Sequence, residues 1–145
     1  MASGYKFLEH MTDAEIEAYG RDLNEAFENA GRALEDTMVD IATIKCTKAE
    51  TVSLQGEDAE SLLYSWLEAL INKQDIEGML YSEFHCKISK DKGGEFSLYA
   101  EISGEKFDPK EHEQKSAIKA PTYHGMKIVE SPEDKQVTMK FLLDL

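Results

Sequence analysis

The sequence predicts an α+β fold: a single domain over residues 1–145, with mostly antiparallel or mixed β-sheet layers and two amphipathic α-helices packed on one face. Three observations predict it. Apolar residues recur at three- and four-residue steps in two stretches only. Elsewhere they alternate with polar ones, the two-residue period of a strand. The later strands follow one another without helices between them, which implies an antiparallel or mixed sheet. A chain of 145 residues suits one domain, and a hydrophobic fraction of 41% supplies a single core.

Each element has its own signal. Ile16 and Ala18 alternate with Glu15 and Glu17, giving a strand that Gly20 ends. Asp22 reads as a helix N-cap, with Glu25 three residues on. Leu23, Ala26, Phe27, Ala30, Ala33, Leu34, Thr37 and Met38 form one apolar helical stripe. The opposite face carries Glu25, Glu28, Glu35 and Asp36 and is expected to be solvated. Val52 and Leu54 alternate with Thr51 and Ser53 in a short strand. Gly56-Glu57-Asp58 leads into a second helix with the stripe Leu62, Leu63, Trp66, Leu67, Leu70 and Ile71, in which Trp66 reads as a core anchor.

The second half reads as strands. Phe84, Cys86 and Ile88 alternate with polar neighbours, as do Phe96, Leu98, Ala100 and Ile102. The turn Lys92-Gly93-Gly94 joins the two runs into a hairpin. Gly104 to Lys115 is polar and reads as a loop. Strands follow at about 122–130 and 136–144, joined by Ser131-Pro132-Glu133-Asp134-Lys135. Val137, Met139, Phe141 and Leu143 share one face, and Asp144 falls on the other with Thr138 and Lys140.

Composition narrows the function. With 29 acidic and 16 basic residues the net charge is -13. Such a surface repels phosphate, so no direct nucleic-acid binding is expected, and it attracts cations and basic surfaces. No apolar run approaches the roughly 20 residues that span a bilayer, and the N-terminus has no secretory apolar segment. Cys46 and Cys86 form no CxxC pair. The expectation is a cytoplasmic protein with two free thiols and no membrane partner.

Motifs for catalysis are missing: GxSxG, P-loop and GxGxxG do not occur, and His10, His85, His112 and His124 lack HExxH spacing. Asp13 lies just before the first clear strand and Asp144 at the end of the last. If those strands pair, the two carboxylates converge, and Asp40, after the first helix, can join them. Oxygen ligands without imidazole or thiolate select hard cations such as calcium or magnesium. The plainer alternative is a turn residue, a loop residue and a terminal solvated charge. Lys119, Thr122, Tyr123 and His124 form a polar cluster that either serves a site or faces water from a strand.

Taken together, the opening FLEHMTDAEIEAYG, the segments AFENAGRALEDTMVD and GEDAESLLYSWLEALI, the loop GEKFDPKEH, the run IKAPTYHGMKI and the ending FLLDL resemble the archease family over nearly the whole chain. The resemblance implies a small acidic, non-catalytic protein that activates the RtcB-type tRNA-splicing RNA ligase, assisting its guanylylation and multiple turnover. It also implies a divalent metal ion, calcium first, with magnesium or manganese as alternatives. By motif, Asp13 and Asp144 would ligate the metal, and the backbone carbonyl of Leu145 would add an oxygen. His10, Asp40, Lys119 and His124 would support the site or contact the ligase. The chain departs from the family at Asp13-Ala14-Glu15, where a glycine is usual in the third place. Glu15 either enlarges the acidic patch or disturbs packing that a glycine permits. The alternative role is a chaperone or modulator of RNA-processing enzymes; an independent metal-dependent enzyme lacks a recognisable nucleophile.

Overall fold

The computed structural model describes residues 3–8 and 13–145. Its elements are β1 (Gly4–Leu8), β2 (Asp13–Gly20), α1 (Leu23–Met38), a 3₁₀ turn (Ile41–Thr43), β3 (Lys48–Gly56), α2 (Ala59–Glu77), β4 (Met79–Lys90), β5 (Phe96–Lys106), β6 (Ala120–Ser131) and β7 (Gln136–Asp144). The strands form two sheets, ordered β1-β2-β7-β6 and β3-β5-β4. Every paired neighbour is antiparallel. Both helices touch both sheets: α1 packs on β2 and β4, and α2 on β6 and β3. Among the described residues, no helix is long and apolar enough to cross a membrane.

The helix ends follow the sequence signals. The Asp22 side chain accepts from the Glu25 N–H at 2.8 Å, which satisfies an orphan donor of the first turn of α1. Asp58 does the same for Ser61 at 2.7 Å, and the Ser61 hydroxyl accepts in return from the Asp58 N–H at 3.2 Å. Asp58→Ala should therefore lower the unfolding free energy by about 1 kcal/mol, read from a denaturant midpoint.

The apolar stripes meet in one core. Trp66 is fully buried. Its indole N–H donates to the Phe27 carbonyl at 3.0 Å, and its ring meets Phe84 edge-on with centroids 6.0 Å apart. A polar network ties β3, β4 and α2 beside this core. Glu50 accepts from the Tyr81 hydroxyl and pairs with Lys73 at 3.2 Å. The Tyr81 hydrogen bond, chiefly, holds the Glu50 carboxyl below its ordinary pKa.

The acidic face of α1 is not a solvated face. It lies along the open edge of β4 and supplies that edge with acceptors. Ile88 N–H donates to the Asn24 side chain at 2.8 Å, Cys86 N–H to Glu28 at 2.9 Å and Tyr81 N–H to Glu35 at 3.1 Å. An uncovered edge strand exposes unpaired N–H groups and invites intermolecular pairing, and here a helix closes it. Glu35 is fully buried as a result. Asp36 accepts from the Tyr5 hydroxyl at 3.2 Å and the Ile41 N–H at 3.0 Å. Towards the surface, Glu25 pairs with Arg21 at 2.8 Å and Asp36 with Lys115 at 3.7 Å.

Two other segments differ from the sequence reading. The opening residues form β1, an edge strand on β2. The polar stretch 104–115 begins as strand, since β5 runs to Lys106. The loop beyond it is anchored rather than free. His112, 1% exposed, accepts from the Asp108 N–H through Nδ1 at 2.9 Å and meets Glu105 through Nε2 at 2.9 Å.

Candidate functional site

Three strand ends meet at one end of the four-stranded sheet. Asp13 opens β2 and Asp144 closes β7, and the two are direct cross-strand partners. Asp144 also stands opposite Ala120, the first residue of β6. The Lys119 N–H donates to the Asp144 carbonyl at 2.7 Å, which fastens the start of β6 to the end of β7. Alternation sets the direction of the side chains. Leu143 and Ile16 are fully buried against the helices, so Asp144 and Asp13, an odd number of steps away, take the outer face. Directly opposite residues of an antiparallel pair carry Cβ atoms about 4.5–5.5 Å apart. Two carboxylates held this way repel, and a cation or a proton offsets that repulsion.

The remaining sequence candidates lie on several different elements. Glu15 shares the outer face, one pleat along, between Leu8 of β1 and Leu142 of β7. Leu145 packs part-buried against the core and holds the chain end beside Asp144. Asp40 caps the 3₁₀ turn by accepting from the Ala42 N–H at 3.0 Å. Its charge also acts on Tyr5, whose hydroxyl is pushed up to about 12 by burial first and by Asp36 second. Lys119 is exposed, its backbone engaged as described. His10 lies outside the described residues. Among the described residues, no group of three or more His, Cys, Asp or Glu side chains is arranged to hold a metal ion.

His124 occupies a bulge that periodicity did not reveal. Thr122 pairs with Leu142 and Lys127 with Lys140, so the four residues Tyr123 to Met126 of β6 stand against Phe141 alone. Gly125 makes the excursion possible with φ +70, a conformation that side chains resist. The His124 N–H donates to the Thr122 hydroxyl at 3.1 Å, and the residue is exposed. Tyr123, 54% exposed, stacks flat on Tyr64 of α2 with ring centroids 4.4 Å apart. The only sequence signal for this bulge was Gly125 inside an otherwise strand-like run.

The donor set is compatible with a hard cation. Asp13 and Asp144 offer up to four oxygens, no nitrogen and no sulfur, and a main-chain oxygen of Leu145 is adjacent in the chain. Calcium takes about 6–8 oxygens and magnesium keeps several waters, so such an ion would here be partly hydrated.

The chain's relatives are found by sequence and by structure. The profile of the Archease protein family (MTH1598/TM1083) matches residues 5–145. Protein archease of Sulfurisphaera tokodaii is 44% identical over 124 residues, spanning 86% of this chain and 87% of that protein. Protein archease of Pyrococcus furiosus is 43% identical over 131 residues, spanning 90% and 92%. The solution structure of Methanobacterium thermoautotrophicum protein 1598 matches with a TM-score of 0.84 at 35% identity, over 98% of this chain and 99% of that one.

Proposed function

The chain belongs to the archease family, and from that premise we propose that it is a non-catalytic accessory protein that activates an RtcB-type tRNA-splicing RNA ligase, promoting its guanylylation and multiple turnover. The observation that carries this reading is the register that sets Asp13 opposite Asp144 at an exposed sheet end. In it, Asp13, Asp144 and a main-chain oxygen of Leu145 hold a divalent cation, calcium or else magnesium or manganese. When bound, that ion supplies a fixed positive charge among carboxylates. The chain's own residues shape the surface around it. Lys119 ties down the Asp144 backbone, and the bulge presents Tyr123 and His124 beside the carboxylate end as contacts for the ligase. The net charge of -13 complements a partner whose own surface is basic because it binds RNA.

The alternative reading, a general chaperone of RNA-processing enzymes, needs one contiguous apolar patch. Among the described residues, the exposed large apolar side chains Phe7, Ile76, Tyr99, Tyr123 and Val129 are instead spread over β1, α2, β5 and β6.

A guanylylation assay on a purified ligase tests the proposal. Wild-type protein should raise the guanylylated fraction and the number of turnovers. Asp13→Asn and Asp144→Asn should each lose that stimulation and lose cation binding by calorimetry, with melting curves close to wild type. Normal stimulation by both variants would sink it.

A further inference from the structure

Strand register assembles a row of charges across the outer face of the four-stranded sheet. Lys6 of β1 stands opposite Glu17 of β2, Glu17 opposite Lys140 of β7, and Lys140 opposite Lys127 of β6. Glu17 and Lys140 lie four residues from Asp13 and Asp144 along the same strands, on the same face and about 13 Å away. The row is predominantly cationic on an otherwise acidic chain. Lys6 takes the Glu17 carboxylate at 3.2 Å. Among the described residues, Lys127 and Lys140 have no ion-pair partner.

Like charges placed directly opposite on neighbouring strands weaken a sheet. These two flank a concavity of about 210 Å³ whose other walls are Glu17, Val129 and Thr138. The Thr138 hydroxyl accepts from Gln136 Nε2 at 3.3 Å, which leaves its own proton for another acceptor. Two ammonium groups, one hydroxyl donor and a neutralised carboxylate thus border one shallow depression.

We propose that this depression binds a phosphoryl group, with Lys127, Lys140 and Thr138 donating to its oxygens. A compact anion between the two ammonium groups turns their repulsion into attraction, and lysine recognises phosphate as a point charge. The whole-molecule charge does not prevent this. At physiological salt, screening confines electrostatics to about 8 Å, so the local row governs a contact made at this spot. The acidic remainder of the surface does disfavour a long polyanion. The ligand is therefore a single phosphoryl group, carried by a mononucleotide or by the terminus of a short RNA. The inference uses neither the carboxylate pair nor its cation.

Amide chemical-shift titration of the labelled full chain tests it. The probes are inorganic phosphate, a nucleoside monophosphate, and a short RNA with and without a terminal phosphate. Phosphate should shift the Lys127, Val129, Thr138 and Lys140 amides saturably. Lys127→Gln and Lys140→Gln should each weaken binding about tenfold, the loss of one charge-assisted contact, while Lys140→Arg retains it. Asp144→Asn should leave it intact. Tighter binding of the phosphorylated RNA than of the nucleotide assigns the RNA end as source, and the reverse order assigns the nucleotide. Absence of saturable shifts with every phosphorylated probe, unchanged affinity in the glutamine variants, or loss of binding in Asp144→Asn would each overturn the proposal.

Discussion

Gly104→Ala is expected to cost on the order of 3–5 kcal/mol, a large part of the roughly 5–15 kcal/mol that holds a domain folded. Gly104 lies in β5, the central strand of its sheet, opposite Lys48 of β3 and Tyr81 of β4. A Cβ there would lie 1.8 Å from the Leu80 carbonyl oxygen and 2.6 Å from the Tyr81 Cα. Both are backbone atoms, so no rotamer change makes room. The crowding comes from a bulge: Tyr81 pairs with Gly104 and Glu83 with Ser103, leaving Ser82 as the extra residue. The Ser82 hydroxyl donates to the Ile44 carbonyl at 3.0 Å, so the bulge is pinned on its far side. Admitting a methyl group requires β4 to part from β5 where Tyr81 also serves Glu35 and Glu50. Denaturant unfolding followed by circular dichroism measures the loss. A variant within about 1 kcal/mol of wild type would mean that the bulge shifts easily, contrary to this packing.

The second large effect concerns Glu35, and it is a gain. One carboxyl oxygen accepts from the Tyr81 N–H at 3.1 Å, and Oε2 has no hydrogen-bond partner among the described residues. Burial pushes the carboxyl well above its ordinary value of 4.5, against a smaller lowering by the Tyr81 N–H. A folded-state pKa raised above the unfolded one gives a contribution that is full below about 4.5 and is lost as pH rises towards the folded pKa. The slope is about 1.4 kcal/mol per pH unit within that window. Glu35→Gln keeps the acceptor for Tyr81 and the shape of the protonated acid but cannot ionise. It should match wild type near pH 4 and become progressively more stable than wild type as pH rises to neutrality. Glu25 and Glu50 act in the opposite sense, because Arg21 and Tyr81 hold their carboxyls low. Their contribution is present above the ordinary carboxylate pKa and is lost as pH falls, and it cancels in the wild-type-minus-variant difference. Parallel stability curves for the two proteins across pH 4–8 would refute an ionisable Glu35 penalty.

These two positions also mark where sequence reading stops. The helical stripe of Leu23 to Met38 and the strand alternations at residues 84–88 and 96–102 were legible, because each is a property of one element seen alone. The fate of Glu28 and Glu35 was not. A helix face rich in carboxylates looks the same whether it meets water or the bare N–H groups of a strand edge. Gly104 likewise sat in a polar stretch that read as loop, since a glycine in a strand offers no side chain to continue the alternation. At the candidate site, Asp144 was correctly separated from the apolar face of Val137, Met139, Phe141 and Leu143. The bulge at Tyr123–Met126 was not foreseen, for it is defined only by the count of residues on the partner strand.

By itself, then, the sequence determined the α+β class, the two helices, the faces that enter the core and the outward direction of the last carboxylate. Only the tertiary structure decided that Asp13 faces Asp144, that α1 closes the β4 edge, and that Lys127 faces Lys140. The physical reason is one of range. Periodicity reports how a residue stands relative to its own neighbours in the chain. Register and edge coverage are settled between segments far apart in sequence, by whichever pairing buries both apolar faces and leaves the fewest backbone donors unmet.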